Sequence, residues 1–406
     1  MKRVIVIGAG LSGLLAATAL ARAGIDVTCV HFGTGGLVLQ PGLVDVFGYD
    51  PGLVASPMKA VSSASAGHPY AAIGARATTR GLELLRELAG PGLLIGDAQT
   101  NVALPTAVGA WRPACLYPPS MAAGIKAPGK MVIVGLRGLR DFNPAVIAGN
   151  LAKGNPEAVV RHATMAVAPG PGGIAALAFA RYFDTAAGQR ALASALRFVV
   201  HAGETVGLPA VLGLDNPNTW RQIQESLGHA VFEIPLPPPS VPGWRLNNAL
   251  TDAATQAGVR FWHGARVVAV SQAGGRATGV VIESAGHPSE LKADAIVLAT
   301  GGLTGGGLGI DDHQTISEPI CNLPLANVPA EPFNDDPLTP QPMWLVGVAV
   351  DPGMHPLDAD GNVVLPNLHA IGGLLAGSAR SAQKTTQGIS AGSAMAAVDA
   401  IMEELK

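Results

Sequence analysis

The run Gly8-Ala9-Gly10-Leu11-Ser12-Gly13, set between the apolar stretch Val4 to Ile7 and a helix-forming segment from Leu11 to Ala23, constrains this chain more than any other feature. Glycines at this spacing suit a strand-to-helix turn that holds a phosphate. The first permits the tight turn, the second lets a phosphate approach the backbone, and the third allows close helix packing. The helix N-terminus adds free N–H donors and a partial positive charge. Far along the chain, Asn367 to Ile371 reads as a short strand ending in Gly372-Gly373, and Gly388 opens an Ala-rich helix that runs to the C-terminus. Glycine-lined backbone from both ends can therefore meet at one ligand, an arrangement that suits a flavin better than a nicotinamide.

A second strand, Ile25 to Val30, runs into His31-Phe32-Gly33, where a dinucleotide-binding unit ordinarily carries Asp or Glu for the adenosine ribose. The missing carboxylate leaves open FMN in place of FAD, an adenosine held by other groups, or a degenerate site; FMN is taken first and FAD second. Ala295 to Ala299 reads as a buried strand ending in Thr300-Gly301-Gly302, either a further close approach to the cofactor or an ordinary turn. The N–H groups of Gly388-Ile389-Ser390 could face the N1 and C2 oxygen of a flavin and favour its reduced, anionic form. A plain surface helix satisfies the same residues.

With 406 residues, 48% of them hydrophobic, the chain exceeds what one small core needs, so two interleaved domains are expected. The fold class is α/β: a Rossmann-like flavin-binding domain from residues 1–50 and 245–406, with an inserted second α/β domain at 51–244 and 311–345 as an excursion toward it. The insert offers a helix at Leu82 to Leu88, a strand at Met131 to Val134, and helices at Gln189 to Val200 and Thr219 to Leu227, the last with Asn216 as N-cap. Beyond it follow a helix from Leu246 to Ala257, a strand at Val259 to Trp262, and a hairpin of Val267 to Val270 with Thr278 to Ile282. A net charge of −3 without Lys or Arg runs speaks against nucleic acid and against a polybasic membrane contact. Cys29, Cys115 and Cys321 form no CxxC, so no disulfide framework, iron–sulfur cluster or other metal site is expected, and a reducing cytoplasm fits. Lys2-Arg3 before an uncharged run imitates a signal peptide, but three glycines in six residues would weaken such a helix. No segment is long and apolar enough to span a bilayer.

Oxidation of an alcohol needs a base beside a hydride acceptor, and His68 in Gly67-His68-Pro69-Tyr70 is one candidate, against a structural role for a lone loop histidine. Arg245, after a Pro-rich run and Trp244, is either a phosphate or partner anchor or half of a structural ion pair. Arg380 and Lys384 are further anion candidates.

Together with Ile133-Val134-Gly135-Leu136-Arg137-Gly138-Leu139, Leu236 to Leu246, Ser317-Glu318-Pro319-Ile320 and Asn367-Leu368-His369-Ala370-Ile371-Gly372, these motifs resemble the B subunit of anaerobic glycerol-3-phosphate dehydrogenase almost end to end. The resemblance implies a fumarate-reductase-like flavin fold and an FMN-containing subunit of anaerobic respiration and glycerol metabolism. It further implies an FAD-containing catalytic subunit and an iron–sulfur subunit as partners, peripheral at the inner membrane face. The complex would oxidise sn-glycerol 3-phosphate to dihydroxyacetone phosphate and pass electrons to quinone. Two departures stand out. Gln40-Pro41-Gly42-Leu43 replaces a Ser-Ser-Gly-Ser turn, with Gly42 as the backbone contact, and Gln387-Gly388-Ile389-Ser390-Ala391-Gly392 replaces a Cys-containing turn. A free-standing FAD enzyme of another small acid or alcohol, and a flavin relay or assembly subunit that never touches substrate, are the rival readings.

Overall fold

The computed structural model describes residues 2–167, 169–170, 175–283 and 288–406, in two compact units. The first comprises 1–36, 45–88 and 249–406; the second comprises 37–44 and 89–248.

In the first unit five parallel strands lie in the order Arg260–His263, Asp26–His31, Arg3–Ile7, Ala295–Leu298, Leu368–Ala370. A parallel sheet covered on both faces needs strands apolar on both sides, and Val4, Ile5, Val6, Ile296 and Val297 are fully buried. Each such side chain contributes roughly 1.5–3 kcal/mol of transfer free energy. Helix Leu11–Arg22 packs against the last helix, Thr386–Glu404. The expected hairpin forms from Arg266–Ala273 and Arg276–Glu283 around Gly274-Gly275, both at positive φ, and Ser289–Lys292 joins as a third strand.

The division differs from the expected boundary at residue 51. Residues 45–88 belong to the flavin-type unit, and so do 311–345. The cause is a helix much longer than Leu82 to Leu88: it spans Pro69–Ala89, broken at Gly74 by φ +75. Its Gly81 meets the last helix so closely that a Cβ there would lie 2.2 Å from the Ala391 carbonyl oxygen. Small residues on both helices allow that crossing.

In the second unit four parallel strands lie in the order Ala158–Met165, Gly129–Leu136, Glu204–Pro209, Val231–Ile234. Their core gathers Val132, Ile133, Val134, Phe179, Phe183, Leu192 and Phe232. Helix Pro144–Gly154 starts with Pro144 at its first turn and the Asn143 side chain accepting from the Ala145 and Val146 N–H groups. Helix Thr219–Leu227 ends at Gly228 in the left-handed region, as expected, but its N-cap is Asn218. Asn216 sits earlier, its side chain accepting from the Asn218 N–H at 3.0 Å, so it shapes the entering turn.

Candidate functional site: a glycine cradle in the first unit

Three loops leave the carboxyl ends of adjacent parallel strands Arg3–Ile7, Ala295–Leu298 and Leu368–Ala370. Gly8 needs to be glycine twice over: its φ is +110, and a Cβ would lie 2.4 Å from the Ala299 carbonyl oxygen. Its N–H donates to the Val30 oxygen at 2.8 Å. Gly13 admits no side chain either, because a Cβ would stand 1.9 Å from the Gly8 oxygen. Gly10 differs from both. It is the N-cap of the helix, and a Cβ there would meet no protein atom within 4 Å. The helix start has no side-chain cap and no acidic residue in its first turn, and the open space at Gly10 lies at its N-terminus, where the first backbone donors of a helix lack intrahelical partners. That combination fits a phosphate. Gly35, which no sequence motif singles out, presses on the same turn: its Cβ would lie 2.5 Å from both the Ala9 oxygen and the Gly10 Cα.

Thr300-Gly301-Gly302 and Gly372-Gly373 pack on one another, with a Cβ at Gly373 only 3.0 Å from the Gly302 nitrogen. Gly301 and Gly372 have φ of +81 and +68. A Cβ at Gly372 would strike the Ser12 hydroxyl at 2.5 Å and come within 3.7 Å of the Ser390 hydroxyl, so this turn touches both the first and the last helix. The Gly372 N–H is held by the Ser393 hydroxyl at 2.9 Å, a contact that sequence reasoning missed because Ser393 lies inside an Ala-rich helix with no motif around it. Ser393→Ala would leave that buried N–H without its acceptor. The expected cost is about 1–3 kcal/mol, read as a lower urea midpoint.

Two polar groups border these turns. The Thr300 hydroxyl is buried without a hydrogen-bond partner among the described residues. The Arg380 guanidinium stands beside Gly302, where Nη2 would be 2.8 Å from a Cβ, while Nη1 donates to the Leu375 oxygen at 3.0 Å. Burial lowers the Arg380 pKa to about 10, which leaves it cationic at neutral pH. Among the described residues no carboxylate pairs with it. Lys384 instead closes its own short helix, donating to the Ser381 oxygen from a left-handed backbone position.

The last helix corrects one expectation. It begins at Thr386, and its first donors are already engaged. The Gly388 N–H donates to the Asp45 backbone oxygen at 2.9 Å, the Gln387 N–H to the Asp45 carboxylate at 3.3 Å, and the Ile389 N–H to the Thr385 oxygen at 3.0 Å. Asp45, itself buried, therefore caps this helix through a long-range contact and balances its dipole. Gly388 and Ile389 cannot offer those N–H groups to a flavin; Gly388 is glycine because a Cβ would lie 2.2 Å from the Tyr70 hydroxyl. Ser390 keeps its place near Gly372.

His68 is buried in a cluster with Phe47 and Tyr70, with ring centroids 5.3 and 5.2 Å away. Burial lowers its pKa, opposed by the Gln383 side chain and the Asp50 charge, so the ring is neutral near pH 7. Its Nδ1 accepts from the Tyr70 N–H at 3.2 Å, which puts the remaining proton on Nε2. The Nδ1 lone pair a base would use is thus occupied by the Tyr70 N–H, which favours the structural role for this histidine.

Gly42 and Arg245 belong to the second unit. Gly42, at φ +77, is packed against Pro242, which a Cβ would approach to 2.6 Å. Arg245 is the ion-pair alternative: Nη1 and Nη2 donate to the two Glu233 oxygens at 2.8 and 3.1 Å, and Nε to the Gly213 oxygen at 2.7 Å. All of this is buried, which turns the guanidinium away from a role as substrate anchor.

The parallel sheet, the glycine fingerprint and the second and third glycine turns define a flavin-binding protein, and a family model described as an FAD binding domain matches residues 3–388. Within that class the chain belongs to the family of anaerobic glycerol-3-phosphate dehydrogenase B subunits. The probable B subunit of Halobacterium salinarum is 34% identical over 423 residues, covering 99% of this chain and 98% of that one. The B subunit of Yersinia enterocolitica is 29% identical over 421 residues, again covering 99% and 98%. Among solved structures, the 3-ketosteroid delta1-dehydrogenase from Sterolibacterium denitrificans aligns over 100% of both chains at 11% identity, with a TM-score of 0.47. Among the described residues no helix is long and apolar enough to cross a membrane.

Proposed function

We propose that this chain is the flavin-binding subunit of an anaerobic glycerol-3-phosphate:quinone oxidoreductase that converts sn-glycerol 3-phosphate to dihydroxyacetone phosphate. It would work beside an FAD-bearing catalytic subunit and an iron–sulfur subunit, reaching the inner membrane face through a partner. The observation that carries this reading is the convergence of Gly8–Gly13, Thr300–Gly302 and Gly372–Gly373 at the carboxyl ends of three neighbouring strands, in a chain related end to end to such B subunits. The flavin, when bound, supplies a two-electron acceptor that can hand electrons on singly. Gly10 and the uncapped N–H groups of Leu11, Ser12 and Gly13 would hold its phosphate. Thr300, Gly301, Gly302, Gly372 and Gly373 would line its path.

FMN is the proposed form. At the end of strand Asp26–His31 no carboxylate stands where an adenosine ribose would be held; His31 turns its Nδ1 to the Gly33 oxygen, and Phe32 lies under Arg266. Heat release of the cofactor followed by mass identification tests this: FMN supports it, FAD overturns it in favour of an adenosine held without a carboxylate, and an empty protein argues for a partner-dependent site.

Arg380 is proposed to hold negative charge in the cradle. Arg380→Ala is expected to weaken flavin retention about tenfold or more, because a hydrogen bond to a charged group is worth about 1.5–3 kcal/mol. Equilibrium dialysis against free flavin reads the change, and Arg380→Lys should recover part of it.

A second reading, electron relay without substrate contact, is favoured by one observation: both residues first considered for substrate chemistry, His68 and Arg245, are engaged in internal packing and pairing. On that reading His68→Gln leaves the substrate KM of the reconstituted complex unchanged. Turnover of glycerol 3-phosphate by the isolated chain with a soluble acceptor would overturn it.

A further inference from the structure

We propose that His355, His369 and Glu404 form a divalent metal site in the first unit, binding zinc or a similar borderline cation. The three residues come from a tight turn, the edge strand Leu368–Ala370 and the last turn of the last helix. Their ligand atoms all lie within 4.8 Å of one another.

Hydrogen bonding fixes which nitrogen His369 presents. The Nδ1 of His369 is 2.8 Å from the Gly353 carbonyl oxygen, which can only accept, so Nδ1 carries a proton. A neutral His369 therefore points an Nε2 lone pair inward. This side chain is fully buried, and among the described residues its Nε2 makes no hydrogen bond of ordinary geometry, the Glu404 Oε2 standing 3.5 Å away. A lone pair facing a carboxylate is unfavourable unless a cation or a proton lies between them. His355 lies between two carboxylates: Nδ1 is 2.9 Å from Asp351 and Nε2 is 2.8 Å from Glu404 Oε1, so a metal would take the place of the Nε2–H···Oε1 hydrogen bond. Each imidazole thus has an acceptor behind it and a nitrogen in front, the arrangement that orients metal-bound histidines. The two ring centroids lie 4.6 Å apart.

Two imidazoles and a carboxylate make a nitrogen-rich donor set suited to zinc and its neighbours, with room for water to complete the shell. Tetrahedral zinc with bonds of about 2.0–2.1 Å separates its ligand atoms by roughly 3.4 Å, so small shifts from the observed spacings suffice. Access exists as well, since Glu404 borders an open cleft of about 580 Å³ shared with Asn367, Arg276 and Asp294. Such a metal would clamp the end of the last helix to the edge strand. The scattered cysteines have no bearing on this site, because its ligands are histidine and glutamate.

The test uses the full chain, stripped with a chelator, incubated with zinc chloride and freed of excess metal by gel filtration. One zinc per chain is expected, with a higher Tm than the stripped protein. His355→Ala and Glu404→Gln, at partly exposed positions where folding should survive, should each lose the zinc and the Tm rise while keeping the wild-type flavin content. Asp351→Asn should weaken zinc about 10–100-fold. X-ray absorption at the zinc edge should report only nitrogen and oxygen at about 2.0–2.2 Å. Absence of stoichiometric zinc, zinc retained by both variants, or sulfur at about 2.3 Å from a cysteine would overturn the proposal.

Discussion

Gly10→Val is expected to leave the fold intact and abolish flavin retention. The two halves of that outcome rest on separate facts. Gly10 has φ −81 at the helix N-cap, a backbone open to any residue, and a Cβ there meets no protein atom within 4 Å. A Cβ at this position displaces nothing in the protein. What it displaces is the phosphate that the Leu11, Ser12 and Gly13 donors would hold, so the loss falls on the ligand alone. Gly13→Ala provides the contrast. Its Cβ would stand 1.9 Å from the Gly8 oxygen, forcing the helix off the sheet at a cost of about 3 kcal/mol or more. Flavin absorbance per folded chain and the urea midpoint separate the two: Gly10→Val should lose the first and keep the second, while Gly13→Ala should lose both. Retained flavin in Gly10→Val would mean that the turn is structural only.

Arg245→Met should destabilise the protein by about 3–5 kcal/mol, because it strands the Glu233 carboxylate in the core of the second unit. Glu233 is fully buried and accepts from the Ser120 hydroxyl at 2.6 Å and the Leu212 N–H at 2.8 Å, besides the two guanidinium contacts. Those two donors remain after substitution, but the compensating charge is gone. Arg245→Met combined with Glu233→Leu should recover much of the loss, since replacing a whole buried pair by apolar groups is often neutral. Denaturant unfolding of the two variants measures this. If Arg245 instead anchored a substrate phosphate, the single variant would raise KM with little change in stability.

Several motifs that carry the family resemblance turn out to fasten the fold together. Glu318 is buried and accepts from the Ile320, Cys321 and Leu323 N–H groups. Asn367 bridges to the backbone of Ala277 and Asp294. Arg245 pairs with Glu233. Unusual residues in a motif therefore marked family membership more dependably than they marked chemistry: a buried polar group needs a specific partner whether or not it touches a ligand.

The sequence by itself determined the first βα turn, the central strands and the class of cofactor. Val4 to Ile7 and Ala295 to Leu298 are apolar on both faces, which only a covered parallel strand tolerates, and the glycine spacing after them is dictated by local backbone geometry. Tertiary structure alone decided the rest. It moved 45–88 into the first unit through a crossing of small residues at Gly81 and Ala391. It set Asp45 on the last helix, so that donors expected to face a flavin were already bonded. It gave Arg245 its partner, set the Tyr70 N–H on the His68 Nδ1, and gathered His355, His369 and Glu404 without any spacing motif. In each of these cases the outcome depends on which polar groups become neighbours after burial. Local periodicity carries no record of that pairing, because the partners are brought together only when the whole chain has packed.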